Sequence, residues 1–354
     1  MQSLQKSRYR VIYLFLLLLL VASVLLSAGV GAVHLGVEEI LKIIHHQFNA
    51  AVVVNPINEG LFFQLRLPRT FLCVLVGASL SVSGALMQAL FRNPIVEPGL
   101  IGTSAGSALG AALLTVLGSN AVFSNVVFLG DLAMPVCAFA GGLAATLLVY
   151  YFSASLSRVN ISVMILAGIA INAIANGATG FLAYIARDPQ ARSITFWSLG
   201  TLSGANWQAV FMVGCSAIVG ILLALRFAKP LNALQLGDAE AGYLGVHTER
   251  LKMSVILINT LLVSVATSMV GIIGFVGLII PHLLRLLNGS DNRYLIIGSA
   301  LLGAVVLTLT DIICRVIIAP AEMPIGIVTA FVGAPVFLWL LARIKNNGKG
   351  GFYG

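Results

Sequence analysis

The sequence predicts an all-α polytopic membrane protein with ten transmembrane helices and both termini in the cytoplasm. Three observations carry that prediction. Only 9% of residues are charged and 59% are hydrophobic, and the mean hydropathy is +1.02. The apolar residues form continuous runs of about 20 residues, the bilayer-crossing length, rather than the alternation of membrane strands. The basic residues crowd into alternate gaps between the runs, as cytoplasmic loops do.

In chain order the runs are Val11–Val33, Leu65–Ala89, Gly99–Leu117, Ala133–Phe152, Ile161–Ile185, Trp207–Phe227, Met253–Val270, Gly271–Leu287, Tyr294–Ile318 and Ile325–Leu341. Met253–Leu287 has no polar gap and reads as one long helix or two. Gly271 and Gly274 offer a turn between two. Parity favours two. Lys6, Arg8 and Arg10 precede the first run, and Arg343, Lys345 and Lys349 follow the last. The positive-inside rule places both groups in the cytoplasm, which requires an even number of spans. Arg92, Arg158, Arg226, Lys229, Arg250, Lys252, Arg285 and Arg293 join them, so fourteen of the 20 basic residues lie inside. Lys42, Arg66, Arg69, Arg187, Arg192 and Arg315 fall outside. The net charge of +8 is then a topology signal. No basic, aromatic-interleaved soluble patch points to nucleic acid. Ser27-Ala28-Gly29 is a weak signal-peptide cleavage site, but the first run is long enough to span and its removal upsets the parity. Residues 1–354 read as a single transmembrane domain.

Cys73, Cys137, Cys215 and Cys314 sit within or at the end of apolar runs, without metal-ligand spacing; they read as small core residues, and no metal site is expected. Every carboxylate is placed in a connecting segment, Glu97 among the inside ones, except Asp311 near the outer end of the ninth span. None is expected at mid-membrane, where ion-coupled carriers commonly keep an ionisable group. Gly237-x4-Gly242 has Walker-like spacing, but Tyr243-Leu244 follows where phosphate and magnesium binding needs Lys-Ser/Thr. A pump built on this chain needs ATP bound by another chain.

Four places stand out. Arg66-Leu67-Pro68-Arg69 lies at the outer mouth of the second span. The arginines either anchor a helix end by snorkelling or present two guanidinium groups to a carboxylate on a docking protein. Asp311 and Arg315 are spaced i,i+4 for an intrahelical pair, or Asp311 orients Arg315 toward that docking surface. The cytoplasmic loop at about 228–250 is the longest inside segment. Within it Asp238 is suited to cap a short helix and Gly245 to stop it, which makes a contact surface for another protein. In the fifth span Gly168, Asn172 and Asn176 repeat at i,i+4,i+8 and Thr179 continues the face; the stripe is either helix-packing glue or pathway lining. The stretch Ile194–Gly200, with Phe196 and Trp197, is too short to span and reads as an interfacial or re-entrant helix over about 194–203. His45-His46 and His282 read as ordinary loop and structural residues.

Together these residues resemble the permease subunits of the ferric-siderophore, haem and vitamin B12 family of ABC importers. The resemblance runs from about Arg66 to Leu341. It rests on Arg66–Arg69, Gly84–Gln88, Arg92–Gly102, Leu236-Gly237-Asp238 with Leu244-Gly245, Gly274–His282, Asp311 with Arg315, and Pro324–Gly326 with Gly333–Pro335. It implies a bacterial inner-membrane homodimer of ten-helix subunits, two ATPase subunits that hold the ATP and Mg, and a periplasmic substrate-binding protein. No cofactor is implied on this chain, and no catalysis. It assigns Arg66, Arg69 and Arg315 to salt bridges with the binding protein. Gly237, Asp238, Ala241, Leu244 and Gly245 fall to ATPase coupling. Gly168, Asn172, Asn176, Thr179, Phe196 and Trp197 fall to the pathway. The Gln190–Gly200 stretch looks most like haem-type members, so haem or a ferric siderophore ranks first as cargo and cobalamin second. The rival class is an ion-coupled secondary transporter. An intramembrane enzyme lacks a His/Asp/Glu cluster or a Ser-Lys pair at mid-span.

Overall fold

The computed structural model describes residues 2–31, 33, 35–49, 53–118, 129–155 and 158–346; Lys349 lies outside them. The described chain is almost wholly helical. In order come α1 (Gln2–Gly29), α2 (Val37–His46), α3 (Pro56–Gly60), a π-helical turn (Leu61–Arg66), α4 (Leu67–Phe91), α5 (Thr103–Leu117) and α6 (Ala133–Ser153). A two-residue hairpin, β1 (Ala154–Ser155) with β2 (Arg158–Val159), leads into α7 (Ile161–Ile185). Then follow α8 (Asp188–Ser198), α9 (Trp207–Leu234), α10 (Asp238–Tyr243), α11 (Thr248–Val270), α12 (Val276–Asn288), α13 (Asn292–Val316) and α14 (Ile325–Asn346).

Each predicted run contains a helix. Among the described residues seven are long and apolar enough to cross a membrane: Arg8–Gly29, Pro56–Phe91, Gly130–Ser153, Ile161–Ile185, Trp207–Leu234, Thr248–Val270 and Asn292–Val316. Three are shorter: Thr103–Leu117, Val276–Asn288 and Ile325–Leu340. Two of them are short because the chain before each is buried in the bundle. Residues 92–102 turn inward through left-handed Arg92 (φ 51°) and Gly102 (φ 89°). The unbroken apolar run 253–287 breaks over 271–275, with Gly271 at φ 75° and Phe275 at φ 68°.

The long helix α4 is the axis of the bundle, buried along nearly its whole length, with α9, α11, α12 and α13 packed around it. One apolar cluster, including Leu72, Cys73, Val76, Val263 and Leu307, fills the Arg69 end. A second, including Leu86, Met87, Leu90, Leu231 and Val255, fills the Asp238 end. In lipid, packing rather than water exclusion holds helices together, so small residues mark the closest approaches. Gly84 lies against the backbone of Gly277, Gly77 against Gly303, and Gly106 against Gly141. A Cβ on Gly84 would overlap the Gly277 carbonyl. Gly84→Ala is therefore expected to destabilise the permease by about 1–3 kcal/mol, the range for overpacking. Gly60→Ala, where a Cβ meets open space, is expected to leave the unfolding midpoint unchanged. Thermal unfolding of both variants in detergent checks the contrast.

Candidate functional site

At one end of the bundle three arginines meet, though not as free groups. The helix α1 ends with carbonyls that have no intrahelical partner, and guanidinium groups from distant segments fill them. Arg66 donates to Ala28 O at 2.8 Å, Gly29 O at 2.7 Å and also Val33 O. Arg315 donates to Ser27 O at 3.2 Å, Val30 O at 3.0 Å and Ser27 Oγ at 2.7 Å. Positive charge at a helix C-terminus also suits the helix dipole. Asp311, with a side chain only 1% exposed, joins the group: Arg69 Nη2 lies 2.8 Å and Arg315 Nε 3.0 Å from its carboxylate. Arg69 reaches outward as well, to Glu322 at 2.7 Å.

The predicted Asp311–Arg315 pair is therefore present, but Arg66 and Arg315 are turned inward and buried. The reading of Arg66 and Arg69 as a pair of open guanidinium groups is corrected on this point. Their partners are the α1 carbonyls and Asp311, which lie too far along the chain for sequence spacing to reveal. All three arginines and Glu322 still line one pocket of about 200 Å³ at this end. Three guanidinium groups against two carboxylates leave it one net positive charge.

At the opposite end α10 stands clear of the bundle on Ala241, which is fully buried. Its flanks are left-handed glycines, Gly237 (φ 136°) and Gly245 (φ 80°). Gly237 is the N-cap, and Asp238 is the first helical residue. Asp238 does not cap the helix; its carboxylate faces Lys252 Nζ at 3.5 Å and Arg92 Nη2 at 3.9 Å. Around α10 the apolar side chains of Leu236, Tyr243 and Leu244 project outward, Tyr243 90% and Leu244 64% exposed. The sequence places the loop at about 228–250; in the structure α9 continues through Pro230 to Leu234, which trims it.

Between the ends, the stripe on α7 divides. Gly168 is buried against Leu100 O, where a Cβ would not fit. Asn172 donates to Gly99 O at 3.2 Å and Leu100 O at 3.4 Å. These two residues hold the inward loop 92–102. Asn176 is exposed, and Thr179 bonds back to Ala175 O at 2.8 Å. The outer face of α7 carries Ile174, Gly177, Gly180, Phe181 and Tyr184, with Tyr184 87% exposed. The short helix after α7 spans 188–198 rather than about 194–203. Pro189 in its first turn sets the start, and Gly200 (φ 71°) follows its end. Phe196 is exposed and Trp197 half-buried. The backbone at 199–201 is stitched to the end of α11 and the start of α14: Thr201 N–H to Val270 O at 2.8 Å, and Gly326 N–H to Leu199 O at 2.9 Å.

Sequence reasoning missed Glu97. Its carboxylate accepts the Phe275 N–H at 3.1 Å, at the start of α12. The adjacent Pro98 and Leu80 O of α4 both lie against Gly277, and Leu80 is close to the midpoint of α4. Glu97 is thus a carboxylate at mid-bundle, not in a loop at the inner end. The signal for it was Pro94, Pro98 and Gly99 at the start of the third apolar run, which leave its helix only 15 residues long.

Among the described residues no group of three or more His, Cys, Asp or Glu side chains could hold a metal ion. The four cysteines are free, two of them buried.

Comparison with known proteins agrees with this layout. The model of the FecCD transport family matches residues 18–343. The hemin transport system permease protein of Yersinia pestis is 40% identical over 336 residues, 95% of this chain and 96% of that one. The vitamin B12 import system permease protein of Salmonella typhi is 39% identical over 286 residues, 80% of this chain and 84% of that one. A solved structure assigned to the metal-chelate type of ABC transporter, in an inward-facing conformation, superposes with a TM-score of 0.79. It is 31% identical and covers 95% of this chain and 99% of its own.

Proposed function

Because the chain belongs to the FecCD transport family, the membrane-spanning permease subunits of ABC importers whose ATP is hydrolysed by a separate ATPase, we propose that it moves an iron chelate, haem or a ferric siderophore, into a bacterial cytoplasm. The observation that carries the mechanism is the exposed apolar ridge of Leu236, Tyr243 and Leu244 on and beside α10. A solvent-facing ridge of that size needs a partner. The ATPase subunit, docked on Gly237, Asp238, Ala241, Leu244 and Gly245, is that partner.

In this reading the Asp238 end and both termini are cytoplasmic, as the basic residues there require. The Arg69 end faces the periplasm of a cell with this chain in its inner membrane. All ten helices cross, the short α5 and α12 being completed by the inward-turned segments before them. Residues 1–354 form one transmembrane domain. The positive pocket lined by Arg66, Arg69 and Arg315 receives a carboxylate of the periplasmic binding protein and fixes its register. Arg69 offers the outermost contact. Two copies meet across the exposed face of α7, so that Asn176, Thr179, Phe196 and Trp197 line a passage at the two-fold axis. Two ATPase subunits complete the complex. ATP-driven closure of those subunits shifts α10 as a rigid body and opens one side of the passage.

For the cargo, the hemin relative matches a larger share of the chain than the vitamin B12 relative does, at nearly equal identity. Haem and ferric chelates therefore rank ahead of cobalamin. The test is uptake into proteoliposomes containing the assembled complex, with haem, a ferric siderophore and cobalamin offered separately. Haem or siderophore uptake is the expected result; uptake of cobalamin alone would reverse the ranking.

A further inference from the structure

Lys252 is the one lysine buried among the described residues, its side chain only 4% exposed. A buried ammonium is costly unless it is paired and hydrogen-bonded, and this one has a partner on its own helix and one on each of two other segments. Its Nζ lies 2.9 Å from Glu249 Oε1, 3.5 Å from Asp238 Oδ2 and 3.5 Å from Val159 O. Glu249 closes the ring, because its Oε2 accepts the Val159 N–H at 2.7 Å. Both backbone polar groups of Val159 are therefore held by Glu249 and Lys252 near the start of α11, and the same ammonium reaches the first residue of α10.

Val159 ends the hairpin that leads into α7. The next residue, Asn160, caps α7 through Val163 N–H at 3.2 Å. A second tie to α7 leaves from the same carboxylate. Asp238 also faces Arg92 at 3.9 Å, and Arg92 opens the inward loop whose Gly99 and Leu100 carbonyls bind Asn172 of α7. Both ties of α7 to the ATPase-facing end thus converge on Asp238.

We infer that Lys252 is the positioning residue through which α10 moves the base of α7, by holding the Val159 peptide and Asp238 in one ion cluster. This rests on α10 being the ATPase-facing surface. Lys252 touches neither cargo nor nucleotide; it fixes the geometry by which a shift of α10 becomes a shift of α7. Spatial intermediacy alone does not establish coupling, so the readout must separate coupling from stability.

The test uses the complete complex of permease, ATPase and binding protein in proteoliposomes, with ATP hydrolysis and cargo uptake measured on the same preparation. Lys252→Met keeps the length of the side chain and removes its charge. Cargo moved per ATP is expected to fall by about tenfold, within the usual range of coupling between sites, while hydrolysis continues. Lys252→Arg, which restores the charge, is expected to recover most of the ratio. A residue with only a structural role would lower uptake and hydrolysis together, leaving the ratio unchanged, and that result would overturn the inference. If Lys252→Met does not assemble, Glu249→Gln is read in the same way, because it removes the anion that clasps Val159 while keeping its shape. Leu244→Asp is measured in parallel. Normal uptake in Leu244→Asp would count against α10 as the coupling surface. Loss of uptake there with a normal ratio in the Lys252 and Glu249 variants would overturn the role of Lys252 alone.

Discussion

Replacing Asp311 with alanine is expected to destabilise the permease by about 3–5 kcal/mol, the range found when one partner of a buried ion pair is removed. Asp311 is the anion between Arg69 and Arg315, and its side chain is 1% exposed. Without it two guanidinium groups remain in the interior without their carboxylate. Arg315 is also one of the two groups that satisfy the end of α1, so the loss is expected to loosen α1 from α13 as well. Glu322 holds the same arginine Arg69 but is 41% exposed. Glu322→Gln is therefore expected to cost no more than about 1 kcal/mol, as for surface pairs. The two unfolding midpoints, measured in the same detergent at one scan rate, check the difference. Equal midpoints for Asp311→Ala and the native chain would show that the arginine cluster does not hold this end together.

Leu244→Asp is expected to abolish productive association with the ATPase while leaving the isolated permease intact. Leu244 is 64% exposed on its own, so a polar side chain there disturbs little within the chain, within about 0.5 kcal/mol. In the assembled importer the same position lies under the ATPase, and an unpaired carboxylate buried there is costly. A central apolar contact in an interface is worth at least about 2 kcal/mol, so affinity is expected to fall by about 30-fold or more. Co-purification with the ATPase, together with the unfolding midpoint of the variant alone, separates the two effects. A variant that binds the ATPase as tightly as the native chain would remove Leu244 from the docking surface.

The helices were legible because hydrophobic run length follows directly from the bilayer. The break over 271–275 was foreseen from Gly271 and Gly274, and the structure places it there with left-handed Gly271 and Phe275. The Asp311–Arg315 pair was legible from i,i+4 spacing, and α10 from Asp238 and Gly245, although Gly237 and not Asp238 is its N-cap. Contacts between distant segments were not. Arg315 and Ser27 are 288 residues apart, and no local pattern joins a guanidinium to the end of α1. Glu97 was misplaced because a loop rich in Pro and Gly reads the same whether it lies at the membrane face or turns into the bundle. Gly168 and Asn172 left two readings open, since a small polar stripe suits close packing and a passage equally. In the structure both residues pack on the carbonyls of residues 99 and 100, contacts that no local pattern announces. The π-helical turn at Leu61–Arg66 left no strong mark in a region read as a loop; α2 did, since Ile40, Ile43 and Ile44 recur at helical spacing with Glu38 and Glu39 in the first turn, and that reading passed over it.

The most direct test of the account is uptake by proteoliposomes holding this chain with its ATPase, the binding protein added outside and all ion gradients collapsed. The account predicts that cargo accumulates only with ATP inside and the binding protein present. Uptake driven by an imposed proton or sodium gradient, without the ATPase, would contradict it.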